Sequence, residues 1–393
     1  MSNMEFTTYR FKYCVTEIID NRGRNPDKYY DAEKYPVIDN YLIKNELHPV
    51  VANANRFLSQ SQFDNFLRGY VTEDDLLMTL VGNGIGNVSL SPNDKIAIVQ
   101  NTVGFRLNQE LLDSHFAFYY FKTINSAVRS LDRGASQPSV NRTDVLRLKI
   151  QVPSINTQKQ IADILSTYDE LIENNNKRIT ILEQMAENLY KEWFVRFRFP
   201  GYETAKFENG IPVGWEIKKN GDILNCFDTK RVPLSSMDRD TRAKIYPYYG
   251  AASLMDYVDD YLFDGTFLLL GEDGTVITPD GHPVLQYVWG KFWVNNHAHV
   301  FQGKGAISTE TLYLMFKNMP ILDIVTGVAQ PKISQGRLFK KKVLCPTEDL
   351  LIKFSELVKP IFDEIKLVSE GNKNLIKQRD LLLPRLMSGK LEV

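Results

Sequence analysis

One segment of this chain occurs twice, at a period of about half the chain length. Residues 134–153 align without a gap with residues 327–346, at an offset of 193. The alignment continues upstream at a similar offset, where Val-Gln-Asn at 99–101 matches Val-Asn-Asn at 294–296. A period this long excludes a solenoid of short repeats and predicts two related domains with pseudo-two-fold symmetry. The identical positions are Gly134, Gln137, Pro138, Lys149 and Pro153 in the first copy and Gly327, Gln330, Pro331, Lys342 and Pro346 in the second.

A long heptad pattern follows each copy of the repeat. Apolar residues recur in steps of four and three from about residue 158 to residue 196, and again from 354 to 386. The pattern predicts two long helices, and ~40 residues at ~1.5 Å per residue would span ~60 Å. Pro360 falls inside the second helix and is expected to kink or divide it.

We expect these helices to pair antiparallel as a coiled coil, because no globular unit of this size needs such a long helix for its own core. The alternative is that each helix packs on its own domain. Asn175 is the polar position of the first seam, and seam asparagines tend to fix register and partner. The residues expected to pair the helices are Leu165, Ile172, Asn175, Ile179, Leu182, Ile361, Ile365, Val368 and Leu375.

The remaining segments predict two α+β domains. Strand-like runs at 75–80, 96–99, 266–270, 284–288 and 292–294 are separated by Gly- and Asp-rich turns. Short helices are expected at 112–123 and 309–317, beside a small mixed or antiparallel sheet. The predicted organisation is a first domain (1–153), a long helix (154–200), a second domain (201–346) and a second long helix (347–393).

Composition limits the class of protein. Cys14, Cys226 and Cys345 lie far apart, which argues against a disulfide framework or a cysteine zinc site and fits a reducing compartment. The N-terminus lacks the apolar core of a signal peptide and no window is apolar enough to span a membrane, so we expect a cytoplasmic protein. Because the net charge is −1, any nucleic-acid site must be a local patch or be shared with a partner.

Basic residues cluster at matching places in the two copies. Segment 129–149 has five Arg or Lys residues against two Asp, and segment 332–342 has five and no acid. Segment 230–244 adds five more. Such cations neutralise DNA phosphates, and interleaved Gln, Asn, Ser and Arg side chains can read base edges in the major groove. A single basic run is usually a solvated surface, but recurrence in both copies favours a shared function.

No catalytic constellation is visible in either copy. The chain has no phosphate-binding Gly-x-x-x-x-Gly-Lys-Ser/Thr loop, and the glycines at 82, 84 and 86 are interpreted as a turn. His297 and His299 are two residues apart on a predicted strand and would face the same side. A metal site needs at least a third ligand, so we expect no metal and interpret the pair as structural or DNA-facing.

These features together resemble the specificity subunit of type I restriction–modification enzymes. The motifs that carry the resemblance are Gly134-Ala-Ser-Gln-Pro138, Gly327-Val-Ala-Gln-Pro331, Pro153-Ser-Ile-Asn-Thr-Gln158-Lys-Gln-Ile161, Ile211-Pro-Val-Gly-Trp-Glu216 and Leu383-Pro-Arg-Leu-Met-Ser-Gly-Lys390. The second helix opening, Pro346-Thr-Glu-Asp-Leu350, departs from the usual Gln-rich form.

The resemblance implies two target-recognition domains, each reading one half of a split DNA target, with paired helices that set the distance between the halves. It implies a non-catalytic subunit that docks two methyltransferase subunits and, in the full complex, restriction subunits. S-adenosylmethionine and ATP with Mg would be bound by those partners, and the complex would methylate adenine and cleave DNA. The two other interpretations are a coiled-coil scaffold that does not bind DNA, and a nuclease or methyltransferase with an unrecognised site.

Residues shared by both copies are better suited to backbone contacts or loop architecture than to sequence reading, because the two half-sites of such a target usually differ. The residues expected to contact DNA are Asn83, Asn87, Arg133, Gln137, Ser139, Arg142, Lys230, Arg231, Arg239, Arg242, Gln330 and Lys332.

Overall fold

The chain forms two compact units in the computed structural model, which describes residues 4–24, 26–132, 134, 137–327 and 330–393. Unit 1 comprises Met1–Asn175 with Gly371–Val393, and unit 2 comprises Asn176–Glu370. Each long helix therefore contributes one part to each unit. The domain boundaries expected from the sequence follow the helix ends instead, and they stay a prediction.

Unit 1 is built on a four-stranded sheet in the order β2-β7-β5-β6, in which all neighbours are antiparallel, and on a separate antiparallel ladder of β1 with β8. Its strands are β1 (Thr7–Arg10), β2 (Val15–Ile19), β3 (Tyr35–Pro36), β4 (Phe57–Leu58), β5 (Leu76–Thr79), β6 (Val88–Leu90), β7 (Thr102–Leu107) and β8 (Lys149–Val152). Its helices are α1 (Gln60–Phe66), α2 (Ser114–Thr123), α3 (Asn125–Arg129), α4 (Arg142–Arg147) and the first part of α5 (Ile155–Tyr190).

Unit 2 repeats this topology. The sheet β12-β19-β16-β17 has the same antiparallel order, and β11 pairs with β20 as β1 does with β8. The strands are β9 (Phe207–Glu208), β10 (Ile211–Pro212), β11 (Glu216–Lys219), β12 (Leu224–Cys226), β13 (Tyr246–Tyr249), β14 (Leu254–Val258), β15 (Phe263–Asp264), β16 (Phe267–Gly271), β17 (Leu285–Val288), β18 (Lys291–Val294), β19 (Ala298–Gly303) and β20 (Lys342–Cys345). The helices are α6 (Asn220–Ile223), α7 (Ser236–Asp240), α8 (Thr309–Lys317), α9 (Gln335–Lys340) and part of α10 (Glu348–Met387).

The repeated sheet order confirms the predicted duplication and the α+β class. Unit 2 also has a second sheet, β14-β13-β18-β15, in which β13 and β18 are parallel. The strand predicted at 96–99 is wrong, because this buried segment makes only one bridge, between Ala97 and Val37. The other predicted strands and the short helices lie within two residues of the observed ones.

The long helix α5 continues directly into a π-helical turn, Lys191–Val195, and α10 runs without interruption through Pro360. The expected division of α10 at Pro360 is therefore wrong. Pro360 is exposed. An exposed helix face tolerates the lost hydrogen bond because water can donate to the carbonyl that the proline leaves without a donor. No helix in the described part of the chain is long and apolar enough to cross a membrane.

The two long helices run antiparallel within each unit. In unit 1, Asp169 pairs with Arg379 and Asn175 with Asn372, so the residue number falls on one helix as it rises on the other. In unit 2, Arg178 pairs with Glu364 at 2.5 Å and Tyr190 packs against Phe354, which gives the same direction. The nine residues expected to pair the helices are all buried or half-buried: Leu165, Ile172, Asn175, Ile179, Leu182, Ile361, Ile365, Val368 and Leu375.

Apolar side chains of the long helices also lie in the core of each unit. The helices therefore pair with each other and also pack on their own domains. In unit 1, Leu165 of α5 and Leu386 of α10 are buried among the aromatic residues of the main core. In unit 2, Phe354 and Ile365 of α10 are buried in the same core as Phe301 and Phe316.

Candidate functional site

Each Gln-Pro segment is fixed by backbone hydrogen bonds to the two loops beside it. In unit 1 the amide of Gly82 donates to the carbonyl of Pro138 at 2.9 Å, and the amide of Val140 donates to Leu80 at 2.9 Å. The amide of Leu80 in turn donates to the carbonyl of Asn101 at 2.8 Å. We call this arrangement the Gln-Pro clamp.

The same three hydrogen bonds recur in unit 2. They join Gly274 to Pro331 at 3.0 Å, Ile333 to Glu272 at 2.8 Å, and Glu272 to His297 at 2.8 Å. The two donor glycines have positive φ angles of 96° at Gly82 and 81° at Gly274, a conformation that strongly favours glycine. The shared motif therefore builds the loop architecture.

Gln137 and Gln330 lie at corresponding places in the two clamps. Both side chains are exposed, and neither makes a hydrogen bond within the described residues. Ser139 lies in the first clamp, where its backbone amide donates to Asp132 at 3.0 Å. Arg133 lies outside the described residues.

The two asparagines predicted to contact DNA differ in their exposure and in the hydrogen bonds of their side chains. Asn83 is exposed, and its carbonyl accepts a hydrogen bond from Arg129 at 2.9 Å. The side chain of Asn87 donates to the carbonyl of Ile43 at 3.0 Å and accepts from Asn45 at 3.1 Å. Since both ends of this amide are used inside the protein, the geometry favours a structural role for Asn87.

Arg142 is held beside the first clamp by Asp20, at 2.8 Å. Burial would raise the pKa of Asp20, but hydrogen bonds from Arg22 and the charges of Arg22 and Arg142 together lower it. The carboxylate therefore stays ionised and neutralises part of the charge that Arg142 was expected to offer to phosphates. A phosphate would have to compete with Asp20 for this guanidinium.

In unit 2 the run of cations at 230–244 is largely neutralised by acids of the same unit. Arg239 pairs with Asp256 at 3.2 Å, and Arg242 pairs with Asp259 at 3.0 Å. Lys244 also pairs with Asp256, and its hydrogen bond is the main cause that lowers the pKa of this carboxyl. Lys230 stays exposed with its ammonium over the ring of Phe227, and it has no acidic partner among the described residues.

Arg231 belongs to a buried charged cluster behind the second clamp. Its side chain is only 13% exposed and pairs with Glu272 at 2.8 Å. It also donates to the carbonyl of Ala298 at 2.8 Å. Glu272 is further paired with Lys332, at 3.4 Å. Arg231 thus supports the clamp from inside the unit, whereas Lys332 lies exposed at its surface.

Asp228, Glu272 and His299 come close enough to suggest a metal site, but the contacts of His299 argue against one. Its Nε2 faces the carbonyl of Ile333 at 2.9 Å and its Nδ1 faces Asp228 at 2.6 Å. Both ring nitrogens therefore already face protein oxygens, and a metal would have to displace one of these contacts. The pKa of Asp228, which burial would raise, is lowered by the hydrogen bond and charge of His299.

The prediction that His297 and His299 share one strand face is wrong. His297 precedes β19, is exposed and contacts Asp273, whereas the His299 side chain is 1% exposed. The sequence could not separate them, because the strand begins only at Ala298.

Among the described residues of segments 129–149 and 332–342, the cations without an acidic partner are Arg129, Lys149, Arg337, Lys340 and Lys342, and all five are exposed. None of them was among the residues expected to contact DNA. The repeat could have pointed to two of them, because Lys149 and Lys342 are identical positions of its two copies.

Comparisons of the sequence and of the structure with known proteins find similarity to the same kind of protein. The family described as Type I restriction modification DNA specificity domain matches residues 13–184 and 212–352. The MjaIX type I restriction enzyme specificity subunit of Methanocaldococcus jannaschii is 29% identical over 335 residues, which cover 78% of this chain and 77% of the relative. The HindI specificity subunit of Haemophilus influenzae is 21% identical over 468 residues, which cover 94% of this chain and 97% of the relative. The crystal structure of the S subunit from M. genitalium has a TM-score of 0.59 at 17% identity, covers 98% of this chain and 96% of that chain, and is similar in fold.

Proposed function

Since the chain belongs to the family of type I restriction modification DNA specificity domains, we propose that it is the DNA-recognition subunit of a type I restriction–modification enzyme. Its role is recognition rather than catalysis. Relatives along most of its length carry the name of specificity subunits of such enzymes.

The observation that carries this proposal is the duplicated Gln-Pro clamp. The backbone hydrogen bonds are the same in both units, but the carbonyl that ends the network belongs to Asn101 in the first clamp and to the exposed His297 in the second. A shared frame with different side chains is expected of two domains that read unlike DNA sequences, because base readout depends on side chains and loop geometry.

In this proposal each unit reads one half of a bipartite target in double-stranded DNA, and the paired helices set the spacing between the halves. The same helices dock two methyltransferase subunits, and restriction subunits join the full complex. S-adenosylmethionine would be bound by the methyltransferase subunits and ATP with Mg by the restriction subunits. The assembled enzyme would methylate adenine and cleave DNA.

The experiment that tests the function maps methylated adenines in DNA from cells that express this chain with its methyltransferase subunits. We expect one motif made of two unlike halves separated by a fixed gap. If cells with the methyltransferase subunits alone give the same methylation pattern, this chain does not provide the specificity.

The clamps can be tested as matched positions in the assembled methyltransferase. Gln137→Ala and Gln330→Ala should each weaken binding to the target duplex without loss of stability, since both side chains are exposed. Arg142→Ala and Lys332→Ala test the charged side chains beside them. If DNA affinity at fixed salt is unchanged for all four variants, the assignment of these loops is wrong.

The two other interpretations predict different results. A nuclease or methyltransferase with an unrecognised site would turn over DNA as the isolated chain, in the presence of metal ions and S-adenosylmethionine. A scaffold without a DNA role would leave the assembled complex unable to bind duplex DNA in a salt-dependent manner.

A further inference from the structure

Two basic residues lie directly opposite each other at the end of a strand ladder, and this occurs in both units. In unit 1, Arg10 of β1 is the cross-strand partner of Lys149 of β8. In unit 2, Lys219 of β11 is the partner of Lys342 of β20. Such partners have Cβ atoms about 4.5–5.5 Å apart, and like charges directly opposite each other destabilise a sheet.

Each pair is the last residue pair of its ladder, and the same backbone hydrogen bond follows it in both units. The next backbone hydrogen bond runs from Phe11 to Leu148 in unit 1 and from Asn220 to Lys341 in unit 2, each at 2.9 Å. The strands β1 and β11 also have the same order of exposed and half-buried residues. The pairs are therefore equivalent positions of the duplicated fold, although Arg10 and Lys219 lie outside the segment whose repeat is visible in the sequence.

These four side chains share one property, which is that none of them forms an ion pair with another described residue. Arg10, Lys149, Lys219 and Lys342 are all exposed, and no acid pairs with any of them in the described part of the chain. This distinguishes them from Arg142, which Asp20 holds.

A third cation stands beside each pair, at the end of the short helix that leads into the ladder. Arg147 of α4 is 72% exposed and contacts Asp144 only at 3.6 Å. Its equivalent, Lys340 of α9, is exposed and has no acidic partner among the described residues. Each unit thus presents three cations at one place, which we call the ladder-end clusters: Arg10, Arg147 and Lys149 in unit 1, and Lys219, Lys340 and Lys342 in unit 2.

We propose that the ladder-end clusters bind the phosphate backbone of duplex DNA and anchor each unit independently of the sequence that its loops read. The inference rests on the proposed function and adds residues that were not among those expected to contact DNA. Two of them, Arg10 and Lys219, also lie outside the basic segments of the sequence. A phosphate group between two opposed cations would replace their repulsion by two charge-assisted hydrogen bonds. Each cluster would then contribute to affinity and not to specificity.

The repetition of the clusters favours DNA over a protein surface as the partner. The two half-sites of a bipartite target differ in bases but share the same backbone, so only backbone contacts need to be the same in both units. Four of the six residues are lysines, which are depleted from protein–protein interfaces but are standard partners of phosphates. The acidic face of a partner subunit is the competing occupant, and the experiment includes it as an outcome.

The clusters lie close to the clamps along the chain. Helix α4 has six residues and connects the first clamp to Lys149, and α9 does the same in unit 2. Six residues rise about 9 Å, which is less than the width of the major groove, about 12 Å. A clamp and its cluster can therefore contact base edges and backbone at one groove.

The test measures binding of the assembled methyltransferase to duplex DNA of random sequence at several NaCl concentrations. The variants are Arg10→Gln with Lys149→Gln, and Lys219→Gln with Lys342→Gln. For each double variant we expect the slope of log affinity against log salt to become shallower by about 1.8, or about 0.9 for each lost phosphate contact. Between about 50 and 200 mM NaCl, its affinity should then fall about 12-fold less than that of the wild type.

The matched control removes two other exposed lysines, Lys95→Gln and Lys353→Gln, one in each unit. We expect the control to keep the wild-type slope, and the charge-conserving pair Arg10→Lys with Lys149→Arg to restore it. Size-exclusion chromatography and a melting curve show that each complex is assembled and folded.

An unchanged slope in both double variants overturns the proposal, and so does an equal change in the control. Loss of methyltransferase assembly by the double variants would instead assign the clusters to a protein interface and overturn the DNA assignment. If the wild-type complex itself does not bind duplex DNA, the proposed function fails first, and the two failures are thereby distinguished.

Discussion

Asn175 donates a hydrogen bond from Nδ2 to Oδ1 of Asn372 at 2.8 Å, between the two antiparallel helices in unit 1. Asn372 is buried and Asn175 is half-buried. An Asn in a helical seam costs stability but fixes register, because its amide is satisfied only when its partner stands opposite.

Replacing one of the two asparagines should therefore cost more than replacing both. Asn372→Leu leaves the Asn175 amide without this acceptor, and we expect a loss of about 1–3 kcal/mol in urea unfolding. The double variant, Asn175→Leu with Asn372→Leu, should regain most of that loss because two apolar side chains pack together. A single variant as stable as the wild type would show that this bond has no role in the pairing.

A second contact between the helices includes a tyrosine of the globular part of unit 1. The buried Tyr119 donates to Asp169 at 2.5 Å, and Arg379 of α10 pairs with the same carboxylate. Burial and the charge of Asp169 both raise the pKa of Tyr119, so its hydroxyl stays protonated as a donor. The side chains of Asp169 and Arg379 are only 9% and 12% exposed.

Arg379→Gln should destabilise the protein by about 3 kcal/mol, because it leaves a nearly buried carboxylate without its cation. The matched control is Arg385→Gln on the same helix, where the side chain is exposed and the change should stay within about 0.5 kcal/mol. Thermal and urea unfolding both measure the difference. Equal stability of the two variants would mean that Asp169 is adequately solvated.

The helices and the duplication were predictable because their signals are local. The apolar steps that include Leu165 and Leu182 need only the neighbouring turns of the same helix, and the pairing seam follows from them. The end of α5 was less predictable, because the π-helical turn at Lys191–Val195 has no periodicity of its own. Pro360 misled the prediction that α10 could be divided, because tertiary packing of the rest of the helix outweighs one lost hydrogen bond.

The charged residues were harder to predict, because their partners are distant in sequence. Arg239 and Arg242 each pair with an acid 17 residues away, and Arg231 with one 41 residues away. A run of cations therefore says little about free charge until the fold brings the acids in. Arg10 was missed for the same reason, because its cross-strand partner Lys149 lies far away along the chain.

One ion pair gives unit 1 a defined dependence of stability on pH. His115 of α2 contacts Asp74 at 3.3 Å, and this hydrogen bond is the main cause that raises the pKa of His115 above its ordinary value of 6.5. The same bond lowers the pKa of Asp74 below its ordinary value of 3.8. A raised histidine pKa stabilises the fold fully below pH 6.5, and this contribution is lost as pH rises through the folded-state pKa.

The lowered pKa of Asp74 acts at the acidic side, where its contribution is present above pH 3.8 and lost as pH falls through the folded-state pKa. The pair therefore stabilises unit 1 most between about pH 4 and 6.5. We expect less than about 1 kcal/mol, because both side chains are partly exposed. His115→Gln and Asp74→Asn should each remove the contribution of this pair, measured by urea unfolding from acidic to neutral pH. A variant that keeps the wild-type profile would contradict the pairing.

Arg231 and Lys230 are neighbouring cations that the sequence assigned to the same role, and the structure separates them. Arg231 lies in the buried cluster with Asp228 and Glu272, whereas Lys230 is exposed. Arg231→Gln should lower the free energy of unfolding by about 1–3 kcal/mol, because two nearly buried carboxylates each lose one of their cationic partners. Lys230→Gln should leave stability within about 0.5 kcal/mol of the wild type.

The two variants should have the opposite order of effects on DNA binding, where Lys230→Gln should have the larger effect. Lys230→Gln should make the salt dependence of duplex binding by the assembled methyltransferase shallower by about 0.9 if this lysine contacts a phosphate. Arg231→Gln should leave that slope unchanged at a temperature where the variant is folded, since its guanidinium is directed at Glu272 and Ala298. A shallower slope for Arg231→Gln with wild-type stability would return Arg231 to the DNA interface and remove it from the support of the clamp.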